Sequence, residues 1–586
     1  MEIPEKILMS VEKPARYIGG EVNAVEKRNA AIRFAFCFPD VYEVGMSHLG
    51  LQILYYFINQ RADTYCERAF APWRDMEGVM RRQGIPLFSL ETKEPLCNFD
   101  FIGFTLQYEL CYTNVLNMLD LSGIPIYSRA RTNRHPIICA GGPCAYNPEP
   151  MADFVDFFFI GEGEAEQGLD AVFDRYAKGN RREFLEKIKD LPGIYVPSCH
   201  TGGTVKKVIV RDMDKAFTPD RQIVPVIEAV HDRAMLEVFR GCGRGCRFCQ
   251  AGFVCRPARE RSPDALRNQA ETLIARTGYE EISLLSLSTG DYTGFQPLAQ
   301  VLLDRFAGDN VNLSLPSTRV DAFTLRIMEK IQGARKSGLT FAPEAGTQRL
   351  RDVINKGITE EEILNGCGLA FEGGWSHVKL YFMIGLPTET DEDILGIADL
   401  AEKILGVYYK RGGKRQPNVS VSVSSFVPKP FTPFQWEAQN SCEEFSRKQQ
   451  LLKRAIKNKR IKYTYHDSRM SVIEGALARG DRRAGQAVAR VWELGARFDS
   501  WSEFFSYELW ERAFTESGLA IEEYTGGRDI SRPLPWAFIS TGVSEEFLRS
   551  ERRLAYEGAV TRNCGESCAG CGADAAFDAG GICRGV

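Results

Sequence analysis

The sequence alternates short apolar runs with amphipathic stretches in two long series. In the first series, within residues 31–190, the apolar runs are AIRFAFCF, FDFIGFTL, PIICAGG and FVDFFFIGEGE, with LGLQILYYFINQ and YTNVLNMLDLSG among the stretches between them. Strands that alternate with helices form a parallel sheet with helices on both faces. Residues 1–195 are therefore predicted to form an α/β domain with a doubly wound, Rossmann-like sheet.

A polar linker over residues 196–230 leads to the second series. Its strand candidates are MLEVFRGC, EEISLLSLS, NLSLPSTRV, GLTFAPEAG, HVKLYFMIGLP and VSVSVSSFVP. Six strands with helices between them predict a partial or full β/α barrel over 231–436, with its chemistry at the carboxyl ends of the strands. Residues 437–560 are predicted to be mainly helical. The Gly/Cys-rich stretch 561–586 is too poor in large apolar residues to fold without a ligand or a docking surface.

Charge and composition exclude several classes of protein. With 73 Lys and Arg against 77 Asp and Glu, the net charge of −4 argues against a general attraction to nucleic acid or anionic lipid. No apolar run approaches the roughly 20 residues of a membrane span, and the first residues lack the apolar core of a secretory signal. A cytoplasmic protein without a membrane partner is expected. An odd number of cysteines, 17, also makes a disulfide framework unexpected.

Seven of the cysteines form two clusters. In the first, GCGRGCRFCQAGFVCRP, the residues Cys242, Cys246 and Cys249 follow the first barrel strand directly. A structural zinc site or a closed iron–sulfur cluster takes four protein ligands, so three thiolates leave one metal position open. Phe248 adds a flat apolar wall beside them. The alternative is a zinc loop completed by Cys255 or by a distant residue.

This loop resembles the signature of the radical S-adenosylmethionine (radical SAM) superfamily. In that superfamily three cysteines hold a 4Fe-4S cluster, and its fourth iron binds the amino acid end of SAM. The resemblance implies reductive cleavage of SAM to methionine and a 5′-deoxyadenosyl radical that takes hydrogen from a substrate, and it implies a reductant such as flavodoxin or ferredoxin.

Further barrel segments resemble the SAM-binding parts of the superfamily. LSLSTGDYTGF resembles the segment that holds the SAM amino group, and LPSTRVDAF the segment near the methionine carboxylate. FAPEAGTQRLRDVINKG resembles the segment with a glutamate at a strand end, and KLYFMIGLPTET the strand against which adenine packs. For Asp291 a structural turn, and for Glu344 a helix-capping or solvated position, are the alternatives. The residues nominated are Ser288, Thr289, Gly290, Asp291, Ser317, Arg319 and Glu344.

Radical SAM proteins with an N-terminal doubly wound domain commonly bind cobalamin there, through Asp-x-His-x-x-Gly. Here Asp40, Tyr42 and Gly45 fill that spacing, with Tyr42 in the histidine position. A phenol is a poor cobalt ligand, so any bound cobalamin is predicted to lack a histidine below the metal, with His48 as an alternative ligand or a helix start. Glycine pairs in later turns match cobalamin-binding relatives, or only make tight turns. The residues nominated are Asp40, Tyr42, Gly45, Ser47, His48, Gly141, Gly142, Gly161 and Gly163.

The second cysteine cluster lies in the tail. Cys564, Cys568, Cys571 and Cys583 are predicted to hold a second metal site, either zinc or an auxiliary iron–sulfur cluster. The alternative is a disordered, thiol-bearing tail.

Motifs along nearly the whole chain, including PDVYEVGMSHLG, EGALARGDRR and LPWAFISTGV, resemble an uncharacterised radical SAM family, some of whose members have a partner protein. The function predicted is a cobalamin-dependent radical SAM enzyme for methylation or rearrangement at an unactivated carbon. One alternative is modification of RNA or a ribosomal protein, as in methylthiotransferases, with KRAIKNKRIKYTY as a basic helix that contacts phosphates or is merely solvated. Another alternative is a non-catalytic cobalamin or iron–sulfur sensor.

Overall fold

The computed structural model describes residues 3–314, 339–411 and 416–577. The strands of its first domain are β1 (Ile32–Phe38), β2 (Thr64–Phe70), β3 (Phe101–Thr105), β4 (Ile137–Gly141), β5 (Phe157–Phe159) and β6 (Ile194–Tyr195). They form one sheet in the order β2-β1-β3-β4-β5-β6, parallel except for β6. The strand order reverses beside β1, as in doubly wound sheets, and ligands of such sheets bind outside the carboxyl ends of the strands.

Helices cover both faces of this sheet, as predicted. They are α1 (Glu5–Leu8), α2 (Tyr42–Met46), α3 (Leu49–Gln60), α4 (Arg74–Gln83), α5 (Tyr112–Leu121), α6 (Leu169–Phe173) and α7 (Arg181–Ile188). Helices α3, α6 and α7 pack against one face with Phe34 and Phe157, while α4 and α5 pack against the other face with Ile102 and Phe158. Successive side chains of a strand point to opposite faces, so each strand contributes to both cores.

Strand β2 is absent from the sequence prediction because its sequence, TYCERAF, carries two charged residues. Both are fully buried in the fold. Arg68 forms ion pairs with Glu21 at 3.0 Å and with Glu91 at 2.7 Å. Charges are buried only when they are paired, and these partners come from other segments of the chain. The apolar pattern of β2 alone therefore does not predict a buried strand.

The second domain continues the alternation of strands and helices. A short connecting strand, β7 (Val205–Lys206), precedes it. Its strands are β8 (Ala234–Glu237), β9 (Phe239–Arg240), β10 (Arg259–Glu260), β11 (Glu281–Leu285), β12 (Asn312–Ser314), β13 (Leu339–Glu344), β14 (His377–Ile384), β15 (Asn418–Ser425) and β16 (Ile461–Tyr465). Two parallel sheets result, β12-β11-β8 and β13-β14-β15-β16, while β9 and β10 form an antiparallel hairpin. The predicted β/α architecture is confirmed.

Helices flank these strands and make up most of the C-terminal region. They are α8 (Ala251–Val254), α9 (Pro263–Thr277), α10 (Phe295–Phe306), α11 (Gln348–Val353), α12 (Glu360–Glu372), α13 (Asp391–Lys410), α14 (Cys442–Ala455), α15 (Ser468–Ala478), α16 (Ala484–Glu493), α17 (Tyr507–Glu516), α18 (Ile521–Thr525), α19 (Glu545–Tyr556) and α20 (Ala573–Phe577). One further strand, β17 (Ile539–Ser540), pairs with β7.

The basic segment KRAIKNKRIKYTY is not a single helix. Helix α14 ends at Ala455, and β16 then joins the barrel sheet beside β15. The residues of β16, IKYTY, are β-branched or aromatic at four of five positions, which favours a strand. The prediction of a continuous helix there is wrong. The segment is rich in lysine and arginine, which favour a helix, whereas the strand pattern covers only the five residues of β16.

The helical region connects the two domains. Trp501 Nε1 donates to Asp40 Oδ1 at 3.0 Å, and Tyr108 OH donates to Glu474 Oε2 at 3.0 Å. Lys429, which follows β15, forms ion pairs with Glu109 at 2.7 Å and with Glu474 at 2.8 Å. The carboxyl ends of β3 and β15 are thereby held against the same helix, α15.

Candidate active site

The three cysteines lie on one tight loop after the first barrel strand. Gly241 and Gly245 have positive φ angles of 86° and 78°, and a Cβ on Gly241 would lie 2.6 Å from a backbone oxygen of Cys255. Only glycine adopts such a backbone without strain. Within the turn, the N–H of Cys249 donates to the carbonyl of Cys246 at 3.0 Å. The loop therefore presents Cys242, Cys246 and Cys249 over a short span of chain.

Arg247 anchors this loop to the rest of the protein. It is fully buried, and its Nε donates to Glu551 Oε2 at 3.0 Å. Its guanidinium also donates to the carbonyls of Val353 at 3.0 Å and Ala559 at 2.9 Å. Burial lowers the pKa of Arg247, although the Glu551 carboxylate opposes that shift. The residue next to Cys246 is thus held by α19, by the end of α11 and by the segment that follows α19.

Asn355 and the tail complete the support of the loop. Asn355 Nδ2 donates to the carbonyl of Gly245 at 3.2 Å, and its Oδ1 accepts from the N–H of Thr561 at 2.9 Å. Three residues later, the N–H of Cys564 donates to the carbonyl of Gly243 at 2.9 Å. The start of the tail therefore lies directly on the cysteine loop.

The Cys249 thiol lies in surroundings that oppose its ionisation. Burial raises the pKa of Cys249 to about 12, and the neighbouring thiols of Cys246 and Cys242 raise it further. A metal that binds thiolates displaces their protons. Across residues 3–314, 339–411 and 416–577, no three His, Cys, Asp or Glu side chains converge on one ion. In a 4Fe-4S cluster each cysteine binds a different iron, so three spaced thiols fit a cluster with one open iron.

The residues nominated for the SAM amino group lie beside this loop. Thr289, Gly290 and Asp291 form a 3₁₀ turn after β11, and Asp291 Oδ2 accepts from Arg244 Nε at 2.9 Å. Ser288 is buried, and its Oγ has no hydrogen-bond partner among the residues that the structure describes. A buried hydroxyl without a partner is unfavourable, so a polar ligand group at Ser288 fits the observed site. Arg244, which joins the turn to the cysteine loop, was not predicted from the sequence.

Of the other nominated barrel residues, two are described by the structure and two are not. Glu344 ends β13 with a positive φ of 66° and pairs with Lys356 at 3.1 Å. Phe248 packs in the same apolar cluster as Met383 of β14. Ser317 and Arg319 lie outside the described residues.

A cavity of about 590 Å³ lies between the first domain and the start of the barrel. The face of the first sheet supplies Phe34, Phe36, Phe157 and Phe159, and the barrel side includes Gly241, immediately before Cys242. Six of the nominated residues line this cavity: Ser47, His48, Gly141, Gly142, Gly161 and Gly163. The cavity therefore joins the carboxyl ends of the first sheet to the cysteine loop.

Asp40, Tyr42 and Gly45 do not line this cavity. Asp40 accepts from Trp501, and burial raises its pKa. Tyr42 accepts from the N–H of Val226 at 3.2 Å and packs edge-on against Phe70. A Cβ on Gly45 would lie 2.3 Å from the Phe70 ring. In the described structure these three residues make packing and hydrogen-bond contacts of the first domain and are not part of the cavity wall.

His48 is the N-cap of α3 and also lines the cavity. Its Nδ1 accepts from the N–H of Leu51 at 3.2 Å, and burial lowers its pKa. A neutral imidazole that accepts at Nδ1 has its proton on Nε2. The other ring nitrogen is therefore a donor, and a metal would need an unprotonated nitrogen there.

An ion-pair network forms the polar wall of the cavity. Arg240 pairs with Glu164 at 2.6 Å and Glu237 at 2.8 Å, while Arg259 pairs with Glu162 at 2.7 Å. Burial opposes ionisation of Glu162, but Arg240 and Arg259 outweigh it and lower its pKa to about 2. For Glu164 burial dominates and raises the pKa. Both glutamates belong to the GEGE turn, of which only the two glycines were predicted from the sequence to be site residues.

The tail cysteines are only partly described. Cys564 and Cys571 are buried and Cys568 is exposed, while Cys583 lies outside the described residues. The buried Arg256 guanidinium lies close to Cys564, Cys571 and Cys242, and its Nη1 has no partner among the described residues. The tail thiols and a loop cysteine thus share one cationic neighbour.

Comparison with known proteins agrees with this geometry. The family described as "Radical SAM proteins, N-terminal" matches residues 50–197, and the "Radical SAM superfamily" matches residues 236–401. The protein is thus a radical SAM enzyme, a class whose fold implies a 4Fe-4S cluster and SAM and that generally needs a reductant.

The uncharacterized protein MJ0966 of Methanocaldococcus jannaschii is 31% identical over 450 residues, which are 76% of this chain and 88% of that protein. The chain belongs to the same radical SAM family as that protein.

More distant relatives have assigned activities. The chain is 26% identical over 310 residues to a tRNA-2-methylthio-N(6)-dimethylallyladenosine synthase of Pelotomaculum thermopropionicum, covering 49% of this chain and 68% of the synthase. The structure of the cobalamin-dependent SAM radical enzyme OxsB, solved with aqua-cobalamin, is similar to this one with a TM-score of 0.48. The alignment covers 90% of this chain and 80% of the OxsB chain, at 14% sequence identity. No helix among the described residues is long and apolar enough to span a membrane.

Proposed function

We propose that this protein is a cobalamin-dependent radical SAM enzyme that methylates or rearranges a substrate at an unactivated carbon. The observation that carries the proposal is the 590 Å³ cavity, because it extends from the first sheet to Gly241 at the cysteine loop. When bound, the cluster, SAM and cobalamin supply the radical and the methyl group.

The cavity suits the nucleotide tail of a cobalamin. Its sheet face is aromatic, with Phe34, Phe36, Phe157 and Phe159, and a flat base stacks well on such rings. Gly141 and Gly161 line the cavity and add no side chain to it, and Gly161 packs closely on the backbone of Val208, where a Cβ would lie 2.0 Å from the Val208 oxygen. A large, mostly apolar cleft with a few polar groups is typical of cofactor sites.

Residues of the chain have separate roles in this proposal. Cys242, Cys246 and Cys249 hold the cluster, and Arg247 positions their loop. Ser288 and the 289–291 turn bind the amino acid end of SAM, with Asp291 oriented by Arg244. The buried aromatic walls exclude water from the space between the two domains.

Anaerobic reconstitution with iron and sulfide, followed by reduction in the presence of SAM, tests the proposal. We expect 5′-deoxyadenosine from the unsubstituted protein and none from Cys246→Ala. Cys442→Ala is the matched control, because Cys442 begins α14 at a distance in sequence from both cysteine clusters. Deoxyadenosine at the parent rate from Cys246→Ala contradicts the assignment, while an intact cluster without any deoxyadenosine favours a sensor.

A second candidate is sulfur insertion into RNA or a ribosomal protein, and the position of the tail favours it. Cys564 contacts Gly243 of the cysteine loop, so an auxiliary cluster on the tail would lie beside the first cluster. We infer that Cys564, Cys568, Cys571 and Cys583 bind zinc or such a cluster. Identification of the tail metal separates the two candidates, since zinc does not donate sulfur.

A further inference from the structure

We propose that the inner wall of the barrel holds a phosphoryl group of the substrate between Lys379 and Lys462, above Ser420. The inner wall is defined here as Lys379, Tyr381, Ser420, Ser422, Lys462 and Thr464. The identity of the occupant as the substrate rests on the proposed function, whereas the anion site itself rests on the geometry of the sheet.

The register of three strands aligns the two lysines. Lys379 of β14 pairs with Ser420 of β15, and Ser420 pairs with Lys462 of β16. Paired residues on neighbouring parallel strands point to the same face, and strands are about 4.8 Å apart. The two lysines are therefore about 10 Å apart at the backbone, with the serine hydroxyl between them. Lysine side chains are flexible and long enough for both ammonium groups to reach one anion above Ser420.

The opposite face of the same strands is the hydrophobic core. Val378, Leu380, Val419 and Val421 are buried in the cluster that includes α12, α13 and α14. Closed β/α barrels fill their interiors with bulky branched side chains. Here the inward positions carry lysine and hydroxyl groups instead, and Tyr381 is 38% exposed. This wall is built to contact a polar ligand.

The charges on this wall are unbalanced. Within the described part of the chain, neither Lys379 nor Lys462 forms an ion pair with a carboxylate. The Lys379 ammonium instead lies 4.6 Å from the centroid of the Tyr381 ring. Two cations aligned on one row repel each other. An anion between them attracts both, and this attraction outweighs the repulsion because the anion is closer to each cation.

The donor set favours a phosphoryl group over a carboxylate. Lysine acts as a point charge that suits phosphate oxygens, and the hydroxyl of Ser420 adds a donor. Carboxylates are best matched by the planar fork of arginine, and this row contains none. Thr340, which pairs with Lys379 on the other side, extends the row with a further hydroxyl.

The same face leads from this row to the cysteine loop. Tyr381 and Met383 follow Lys379 at two-residue steps, and Met383 packs in one cluster with Phe248, the neighbour of Cys249. Four residues of a strand span about 13 Å. A substrate held by its phosphoryl group at the lysine row would thus present a carbon about 13 Å away to the reactive end of the site.

Calorimetric titration of the reconstituted full-length protein with inorganic phosphate, pyrophosphate and acetate, at constant ionic strength, tests the site. The test variant is K379Q/K462Q, and the matched control is K457Q/K459Q, which removes the same charge from exposed residues before β16. We expect phosphate or pyrophosphate to bind at least tenfold more weakly to the test variant and within twofold to the control. Equal losses in both variants, no phosphate binding to the parent, or equal binding of acetate overturn the proposal.

A second measurement needs no substitution. Acetylation of lysines followed by mass spectrometry is expected to show that pyrophosphate protects Lys379 and Lys462 but not Lys457. Protection of all three alike, or of none, overturns the site. Anion binding without deoxyadenosine formation by the same preparation would instead contradict the proposed enzyme and leave the anion site standing, so the two failures are distinguishable.

Discussion

The backbone N–H of Cys564 donates to the carbonyl of Gly243 at 2.9 Å, which places the tail on the loop of the cluster cysteines. The contact joins residues more than 300 positions apart. It is reinforced by Asn355, which accepts from Thr561 and donates to Gly245. A segment that is too poor in apolar residues to fold alone therefore has a docking surface, and that surface is the loop that carries Cys242, Cys246 and Cys249.

Truncation after Thr561 is expected to lower the metal content by one site and to leave the loop cluster in place. The reason is that several thiolates bound to a metal offset the entropy of ordering a glycine-rich segment. Metal analysis of the reconstituted protein measures this. Truncation after residue 577 removes only Cys583 among the tail cysteines and tests it as fourth ligand. Unchanged metal content after the longer truncation would contradict a metal site in the tail.

Glu551→Gln is expected to destabilise the fold by about 3–5 kcal/mol, because it leaves the buried guanidinium of Arg247 without a counter-charge. The control is Glu545→Gln on the same helix, since the Glu545–Arg549 pair is exposed and is expected to contribute less than about 1 kcal/mol. The thermal unfolding midpoint and the iron content per chain are the measurements. Equal effects of the two substitutions would show that the loop does not depend on this anchor.

Gly141→Leu is expected to reduce bound corrinoid at least tenfold, while Gly141→Ala retains it. The nearest atom to a Cβ at Gly141 is the Phe159 oxygen at 3.4 Å, so alanine fits and the longer side chain occupies the cavity. Cobalt per chain, after growth with ample cobalamin, is the measurement. Loss of cobalt in neither variant, or no cobalt in the parent, would remove cobalamin from the cavity.

Replacement of His48 is expected to leave the cobalt spectrum unchanged. The Nδ1 of His48 accepts from Leu51, so we expect Nε2 to carry the proton and not to bind cobalt. His48→Asn keeps an N-cap residue and removes the imidazole. Electron paramagnetic resonance of the holoprotein should show no nitrogen coupling in either form. A nitrogen-coupled signal that disappears in His48→Asn would identify His48 as the ligand.

The free energy of unfolding is expected to fall as the pH rises from about 4 to about 6, because Asp499 loses its proton in the folded state over this range. Burial raises the pKa of Asp499 to about 6, although Thr113 and Trp510 donate hydrogen bonds to it. Because the folded state holds this proton more tightly than the unfolded state, its stabilisation is full below pH 4 and is lost as the pH rises through 6. The proton on Asp499 contributes about 3 kcal/mol to the free energy of unfolding at low pH.

Asp499→Asn separates this effect from the other titrating groups. The parent's unfolding temperature, measured relative to that of the variant, should fall between pH 4 and pH 7. Parallel pH profiles for the two proteins would show that Asp499 does not titrate in this range.

Local patterns predicted the strands whose residues are mostly apolar, such as β1 and β3, and the helix α3. They also predicted the cysteine loop, because the three cysteines and their glycines are neighbours in the chain. They failed at β2 and β16, where charged residues belong to strands. Arg68 in β2 is compensated by Glu21 and Glu91, which no local window contains.

The sequence by itself determined the radical SAM class, the alternation of strands and helices, and the number of thiols available to a cluster. Only the tertiary structure decided which nominated residues share a cavity: Ser47 and His48 line it, whereas Asp40 and Tyr42 pack elsewhere. The same holds for the Arg247–Glu551 anchor. The physical reason is that these contacts join segments far apart in the chain. Their geometry follows from the packing of whole elements, while hydrophobic periodicity reports only on neighbouring residues.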